Sequence, residues 1–230
     1  MSNFHKLIAS VRAALEHSAT EHHNGNSNSI AGVPTTQAAR RVELALKFAR
    51  ELQPLGARFL GTLTPRQAIA QVLEVAAMVK ARSAAVGAGI TCDSDAIAAA
   101  LEREGISVIR PATTGDDSAR LELRGSLAGC DLAVLEADYA IAATGTLAMI
   151  STPVRPASLS LVPPVNLVMV SADRILPDLA SVLAAIGPAS IAVHRLALVT
   201  GPSRTADIEK RIVRGVHGPR ELHVAALWQD

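Results

Sequence analysis

Aromatic side chains are nearly missing from this chain: Phe, Tyr and Trp make up 2% of its 230 residues. A nucleic-acid surface built on base stacking therefore has little to work with. A surplus of positive charge is missing too. The 22 basic residues face 21 acidic ones, which argues against nucleic acid as a partner. Cysteine is scarce. Cys92 and Cys130 provide no disulfide framework, suit a reducing cytoplasm, and fall short of the four thiolates of an iron–sulfur cluster or a closed cysteine-rich zinc site. No metal site is expected in the chain. Long apolar runs are also lacking. The longest charge-free stretch, residues 156–172, is interrupted by Pro156, Pro163 and Pro164, so no membrane-spanning helix is expected. Lys6, Arg12 and Glu16 break the first 17 residues, which excludes a secretory signal there.

What is present is aliphatic. Hydrophobic residues make up 49% of the chain and charged ones 19%, enough apolar content to fold most of its length around a core. Phe4, Leu7, Ile8, Val11 and Leu15 fall on one helical stripe. Residues 18–36 are polar and aperiodic, and read as a mobile linker in which His22 and His23 are solvated rather than metal ligands. The expected domains are thus 1–36, a helix and flexible linker, and 37–230, an α/β domain. In the second of these, helical periodicity predicts helices over 37–53, after Thr64-Pro65 with Ile69, Val72, Leu73, Ala76 and Val79 inward, over 95–103, and over 175–186 with Leu176, Leu179, Leu183 and Ile186 inward. Short apolar runs predict strands at 57–60, 83–86, 106–109, 132–135, 147–151 and 167–171, a central strand within 190–199, and a short last strand at 223–228. Strands bracketing helices imply a largely parallel sheet flanked by helices.

Three stretches carry candidate chemistry. Gly87-Ala88-Gly89 follows a strand and precedes a helix, yet Cys92 stands where a dinucleotide fingerprint requires a third glycine. It reads as a glycine-rich connecting loop. Thr144-Gly145-Thr146 lies between apolar runs. Its N–H groups and hydroxyls suit an oxyanion, and they equally suit a turn that satisfies itself; the residues alone support both readings. The densest stretch runs from Thr200 through Gly201, Pro202, Ser203, Arg204 and Thr205 to Asp207 and Glu209, then on to Gly215, His217 and Pro219. Ser203, Arg204 and Thr205 offer an anion grip, and His217 a catalytic acid or base. Asp207 and Glu209 read as structural, capping a short helix over 208–214 that Gly215 ends.

At these residues the chain resembles the lactate-utilisation (LUD) domain family, in the form of its LutC/YkgG-type subunit. The resemblance rests on Ala142-Ala143-Thr144-Gly145-Thr146, Arg155, residues 161–170, the run from Thr200 to Glu209, and Gly215-Val216-His217-Gly218-Pro219. It covers roughly residues 37–228. The resemblance implies a fold similar to the sugar-phosphate isomerase/CoA-transferase-like fold, with an N-terminal helical appendage. It implies a place in a bacterial system oxidising L-lactate to pyruvate, beside a cysteine-rich subunit and an iron–sulfur subunit with its own LUD domain. The clusters would then belong to the partners, with no cofactor in this chain. A small anionic ligand would sit at Thr144, Gly145, Thr146, Gly201, Ser203, Arg204 and Thr205. The family usually has an acid before Thr-Gly-Thr, where this chain has Ala143. The competing readings are a stand-alone enzyme on a phosphorylated or CoA-linked metabolite, and a non-catalytic scaffold or ligand-binding module.

Overall fold

The computed structural model describes residues 36–89, 91–112, 116–187, 195–206, 212–214 and 218–228. The expected N-terminal helix and linker, and the expected roles of Asp207, Glu209 and His217, lie outside the described residues. Helix α1 (Thr36–Leu52) ends in a 3-10 turn at Gln53–Leu55. Strand β1 (Arg58–Leu63) leads to α2 (Pro65–Met78). Thr64 caps α2 as predicted: its hydroxyl accepts from the Gln67 N–H, and the Gln67 side chain accepts from the Thr64 N–H at 2.9 Å. Strand β2 (Ser83–Val86), α3 (Ser94–Arg103), β3 (Ser107–Ile109), α4 (Asp117–Ala128) and β4 (Leu132–Ala137) complete the alternating half.

The remaining elements are β5 (Tyr139–Ile141), β6 (Thr146–Ile150), α5 (Ser158–Leu161), β7 (Val165–Ser171), β8 (Ile175–Leu176), α6 (Leu179–Ile186), β9 (Leu196–Val199), β10 (Arg204–Ala206), β11 (Ile212–Arg214) and β12 (Glu221–Leu227). Six strands form one sheet in the order β1-β12-β7-β4-β2-β3, every pair parallel. Four more form a mixed sheet, β8-β5-β6-β9, and β10 pairs antiparallel with β11.

The large sheet is buried on both faces, and the alternation along β4 shows how. Leu132 and Val134 point into a core with Val72 and Val75 of α2 and Ile97 and Leu101 of α3. Ala133, Leu135 and Ala137 point the other way, into a core with Phe48 and Leu52 of α1, Leu127 of α4 and Leu147 of the mixed sheet. Asp131 fastens the start of β4 to that of β2. Its carboxylate accepts from the N–H groups of Arg82 and Ser83 at 2.8 and 3.1 Å, and these bonds hold its pKa below the usual carboxylate value.

Several expectations are corrected. Helix α4 went unpredicted because it is amphipathic only weakly: Leu127 is its one buried residue and Leu121 is exposed. In α2 the expected stripe does face the core, with Val72 and Ala76 buried and Ile69, Leu73 and Val79 packed partly buried beside them, while Ala68 and Val75 widen the buried face. The predicted 175–186 helix begins instead as β8, and Asp178 caps a shorter helix with its carboxylate on the Ser181 N–H. Val182 is buried there, while Leu179 and Leu183 are exposed. The expected central strand is β9, at the edge of the small sheet. The short last strand is the seven-residue β12, inside the large sheet. The helix expected over 208–214 is contradicted at Ile212–Arg214, which is a strand paired with Arg204–Ala206. Local capping chemistry suited a helix, but the antiparallel pairing with 204–206 prevails there.

Candidate functional site

In the large sheet the chain steps from β2 outward to β3, then returns across β2 to β4. Helix α3 packs in the core on one face of the sheet and α4 in the core on the other, so the connections on either side of β2 part there. Ligands of open α/β sheets collect in a crevice of this kind. Here the crevice is lined by Gly87 and Ala88 after β2, Glu136 and Asp138 at the end of β4, Met149 to Ser151 at the end of β6, and Arg155 to Ala157 with Leu159 and Ser160 around α5. It encloses about 390 Å³, part of it open to solvent.

Two carboxylates stand at the crevice, and both are buried. Asp138 accepts from the Arg155 guanidinium at 2.9 Å and from the Ile150 N–H at 2.6 Å. Arg174 adds a long contact of 3.4 Å to the Asp138 carbonyl, its guanidinium lying 5.4 Å from the Tyr139 ring centre. Glu136 reaches across to the loop after β2, where its Oε2 accepts from the N–H groups of Thr91 and Cys92 at 2.8 and 3.2 Å. Those are N–H groups just ahead of α3, the place where a dinucleotide or phosphate loop presents donors to its ligand. The Asp93 carboxylate caps α3 by accepting from the N–H groups of Asp95 and Ala96. The chain thus fills its own phosphate position, which agrees with the bland reading of Gly87-Ala88-Gly89.

Cys92 is no poised thiolate. Burial first, then the charges of Glu136 and Asp93, push its thiol up to about 12, and its Sγ rests 3.5 Å from the Met169 sulfur. Cys130 is buried and likewise raised, by burial and then by Asp131.

The residues singled out from the sequence gather elsewhere. Thr144 and Thr146 join hydroxyls at 2.7 Å, and Thr146 bonds the Thr200 hydroxyl at 2.9 Å. The turn at Thr144 and the loop after β9 therefore do meet, through the antiparallel pairing of β6 with β9. Gly145 has φ +62, and a Cβ there would lie 2.5 Å from the Leu52 nitrogen. Gly201 abuts Leu55, 3.0 Å from its carbonyl oxygen on the same measure. Both glycines thus seat the small sheet against the end of α1. Ser203 donates its N–H to the Pro219 carbonyl at 2.9 Å. Arg204 and Thr205 form β10 opposite Arg214 and Val213. Ala143 is exposed, its N–H bonded to the Pro177 carbonyl. This cluster lies at the opposite end of β6 from the crevice, roughly 13 Å of strand away. Sequence reasoning passed over Glu136 and Asp138. The signal was there: two carboxylates within the otherwise apolar run 132–142.

Comparison with known proteins adds the following. Residues 45–227 match the model of the LUD domain. An uncharacterised protein of Neisseria meningitidis serogroup B is 35% identical over 98 residues, 41% of either chain. The Lactate utilization protein C of Halalkalibacterium halodurans is 31% identical over 93 residues, 39% of this chain and 40% of that one. The uncharacterised protein YkgG of Escherichia coli K12 is 36% identical over 90 residues, 37% of this chain and 39% of that one. The aligned stretches thus span about two fifths of each curated relative. A solved structure of a DUF162 family protein from Deinococcus radiodurans superposes with a TM-score of 0.58 over 81% of this chain and 98% of that chain, at 19% identity.

Proposed function

We propose, from the premise that this chain belongs to the LUD domain family, that it is a LutC-type component of a bacterial system oxidising L-lactate to pyruvate. The observation that carries the reading is the partial match to a protein named Lactate utilization protein C, within a family match spanning most of the chain. In this reading the chain handles a small anionic metabolite. The iron–sulfur clusters belong to a cysteine-rich partner and a larger LUD-containing partner, since two cysteines fall short of a four-thiolate site. The setting is cytoplasmic. Among the described residues no helix is long and apolar enough to cross a membrane.

The chemistry of the crevice favours this reading over a phosphorylated or CoA-linked metabolite. The N–H groups ahead of α3 that would take a phosphate already donate to Glu136, and a phosphate there would have to displace that carboxylate. The test is genetic. Deleting the gene in its own host should abolish growth on L-lactate and leave growth on pyruvate intact, with growth restored by the wild-type chain. Unimpaired growth of the deletion strain on L-lactate overturns the proposal.

A further inference from the structure

The four-stranded sheet has an inner and an outer face. Leu147 and Val199 point inward, to the core that holds Phe48 and Leu52 of α1. Ile141 and Ala148 point outward, where Val182 of α6 packs on them with Ile186 and Leu196 beside it. Leu198 stands opposite Ala148 in the β6–β9 register, so its side chain is on that outer face too. Such a sheet is about 15–20 Å wide, and one helix with its side chains about 10–12 Å. Helix α6 packs against β5 and β8, and no other described helix lies over Leu198, which is 47% exposed. Leu179, Val182, Leu183 and Ile186 of α6 have the i, i+3, i+4, i+7 spacing of an apolar stripe, yet Leu179 is 41% and Leu183 52% exposed. The other sheet edges are blunted: β8 and β3 are very short, and β1 is bulged with Arg58 at its start. Strand β9 is apolar throughout. An apolar edge beside exposed leucines invites wrong association unless something covers it.

We propose that the outer leucine face, Leu179, Leu183 and Leu198, is a docking site for the chain's own apolar stripe at Phe4, Leu7, Ile8, Val11 and Leu15, beside α6 and over β9. The stripe precedes α1 and lies outside the described residues. Three observations favour it as the occupant. First, the helical stripes read from the sequence over 37–53, after Thr64-Pro65 and over 95–103 all have core positions, whereas this one has none assigned; five large apolar side chains on a segment this short gain little in water without a face to meet. Second, the tether fits. Arg41 of α1 pairs with Asp173, shortly ahead of β8 and α6, so α1 starts near the face, and residues 16–35 can reach about 60 Å when extended. Attachment to the same chain also gives the stripe a high effective concentration at the face. Third, the connection from α6 to β9, residues 188–194, offers only Ile191 and Val193 as large apolar side chains, fewer than the face presents. The docking is independent of the lactate reading and of the crevice.

Hydrogen exchange read by mass spectrometry on the full chain tests it, with peptides covering residues 1–17 and α6. In the wild type the amides of residues 4–15 should exchange at least about tenfold more slowly than an unstructured peptide, at a rate independent of protein concentration. Leu183→Asp and Leu198→Asp each put a charge in the face and should return residues 4–15 to nearly the unprotected rate. Both leucines are about half exposed, so the domain should stay folded, which circular dichroism melting checks; Leu183→Ser is the milder companion. Leu7→Asp should likewise release residues 4–15 and speed exchange in α6, a reciprocity that a stripe docked elsewhere would not produce. Full-rate exchange of residues 4–15 in the wild type overturns the inference. So does protection that survives both Leu183→Asp and Leu198→Asp in folded protein. Protection that rises with protein concentration alongside a dimeric mass by light scattering also overturns it, and assigns the face to a second copy of the chain.

Discussion

Replacing Gly145 by alanine separates a structural from a ligand-holding Thr-Gly-Thr turn. Two costs act at this position. The backbone sits at φ +62, a left-handed conformation that costs an L-residue with a Cβ about 1–2 kcal/mol. The new Cβ would also lie 2.5 Å from the Leu52 nitrogen, 2.7 Å from its Cα and 2.8 Å from the Glu51 carbonyl carbon. All three are backbone atoms of α1, which cannot turn aside as a side chain can, and overpacking of this kind costs about 1–3 kcal/mol. The sum is about 2–5 kcal/mol. In a chain of this size each kcal/mol lowers Tm by about 2–4 °C, so a fall of about 4–20 °C is expected. Gly105→Ala is the control. Gly105 has φ +76 with nothing within 4 Å of its Cβ position, so it reports the backbone cost alone. Differential scanning calorimetry of both variants checks the argument. Equal destabilisation by the two would refute the close approach of the turn to α1. A stable Gly145→Ala protein with impaired anion binding would return the turn to ligand duty.

Three further outcomes are expected. His223 is fully buried between β1 and β7, its Nε2 3.3 Å from Glu221, and burial lowers its pKa below the ordinary 6.5. The unfolded chain therefore takes up a proton that the native state refuses: stability is full above 6.5 and declines as pH falls through that value toward the native pKa. Melting curves between about pH 8 and about pH 5 should show a slope that His223→Leu reduces; an unchanged slope counts against the assignment. Glu136→Gln should cost about 1–3 kcal/mol by weakening the bonds to Thr91 and Cys92. It should also draw the Cys92 thiol down from about 12, seen as faster alkylation at mildly alkaline pH, and an identical alkylation profile would contradict the coupling. Freshly purified chain should show no iron–sulfur absorbance, because Cys92 and Cys130 are its only thiols; a stoichiometric cluster in the monomer would refute this.

The alternation of helix and strand was legible because its signals are local. Thr64-Pro65 announces α2, the β-branched and alanine-rich runs at 83–86 and 132–135 announce buried parallel strands, and the cysteine count speaks for itself. Where the signal was weak or shared, the sequence misled. Helix α4 buries Leu127 and exposes Leu121, too little contrast for a periodicity. The run 212–214, flanked by helix-capping residues, pairs as a strand because a partner at Arg204–Ala206 satisfies its backbone.

The candidate site divides in the same way. The sequence by itself determined that the chain is aliphatic and largely parallel α/β, that it has two thiols, and that its Thr-Gly-Thr and Gly-Pro-Ser-Arg motifs carry the family resemblance. Only the tertiary structure decided that β2 and β4 are neighbours, and with that where the crevice opens. It set Arg155 against Asp138 across 17 residues of chain, carried Glu136 over 45 residues to the Thr91 N–H, and pressed Gly145 onto α1. The physical reason is that periodicity reports which face of an element is buried. It does not report what that face meets, and a site of paired charges is defined by what meets.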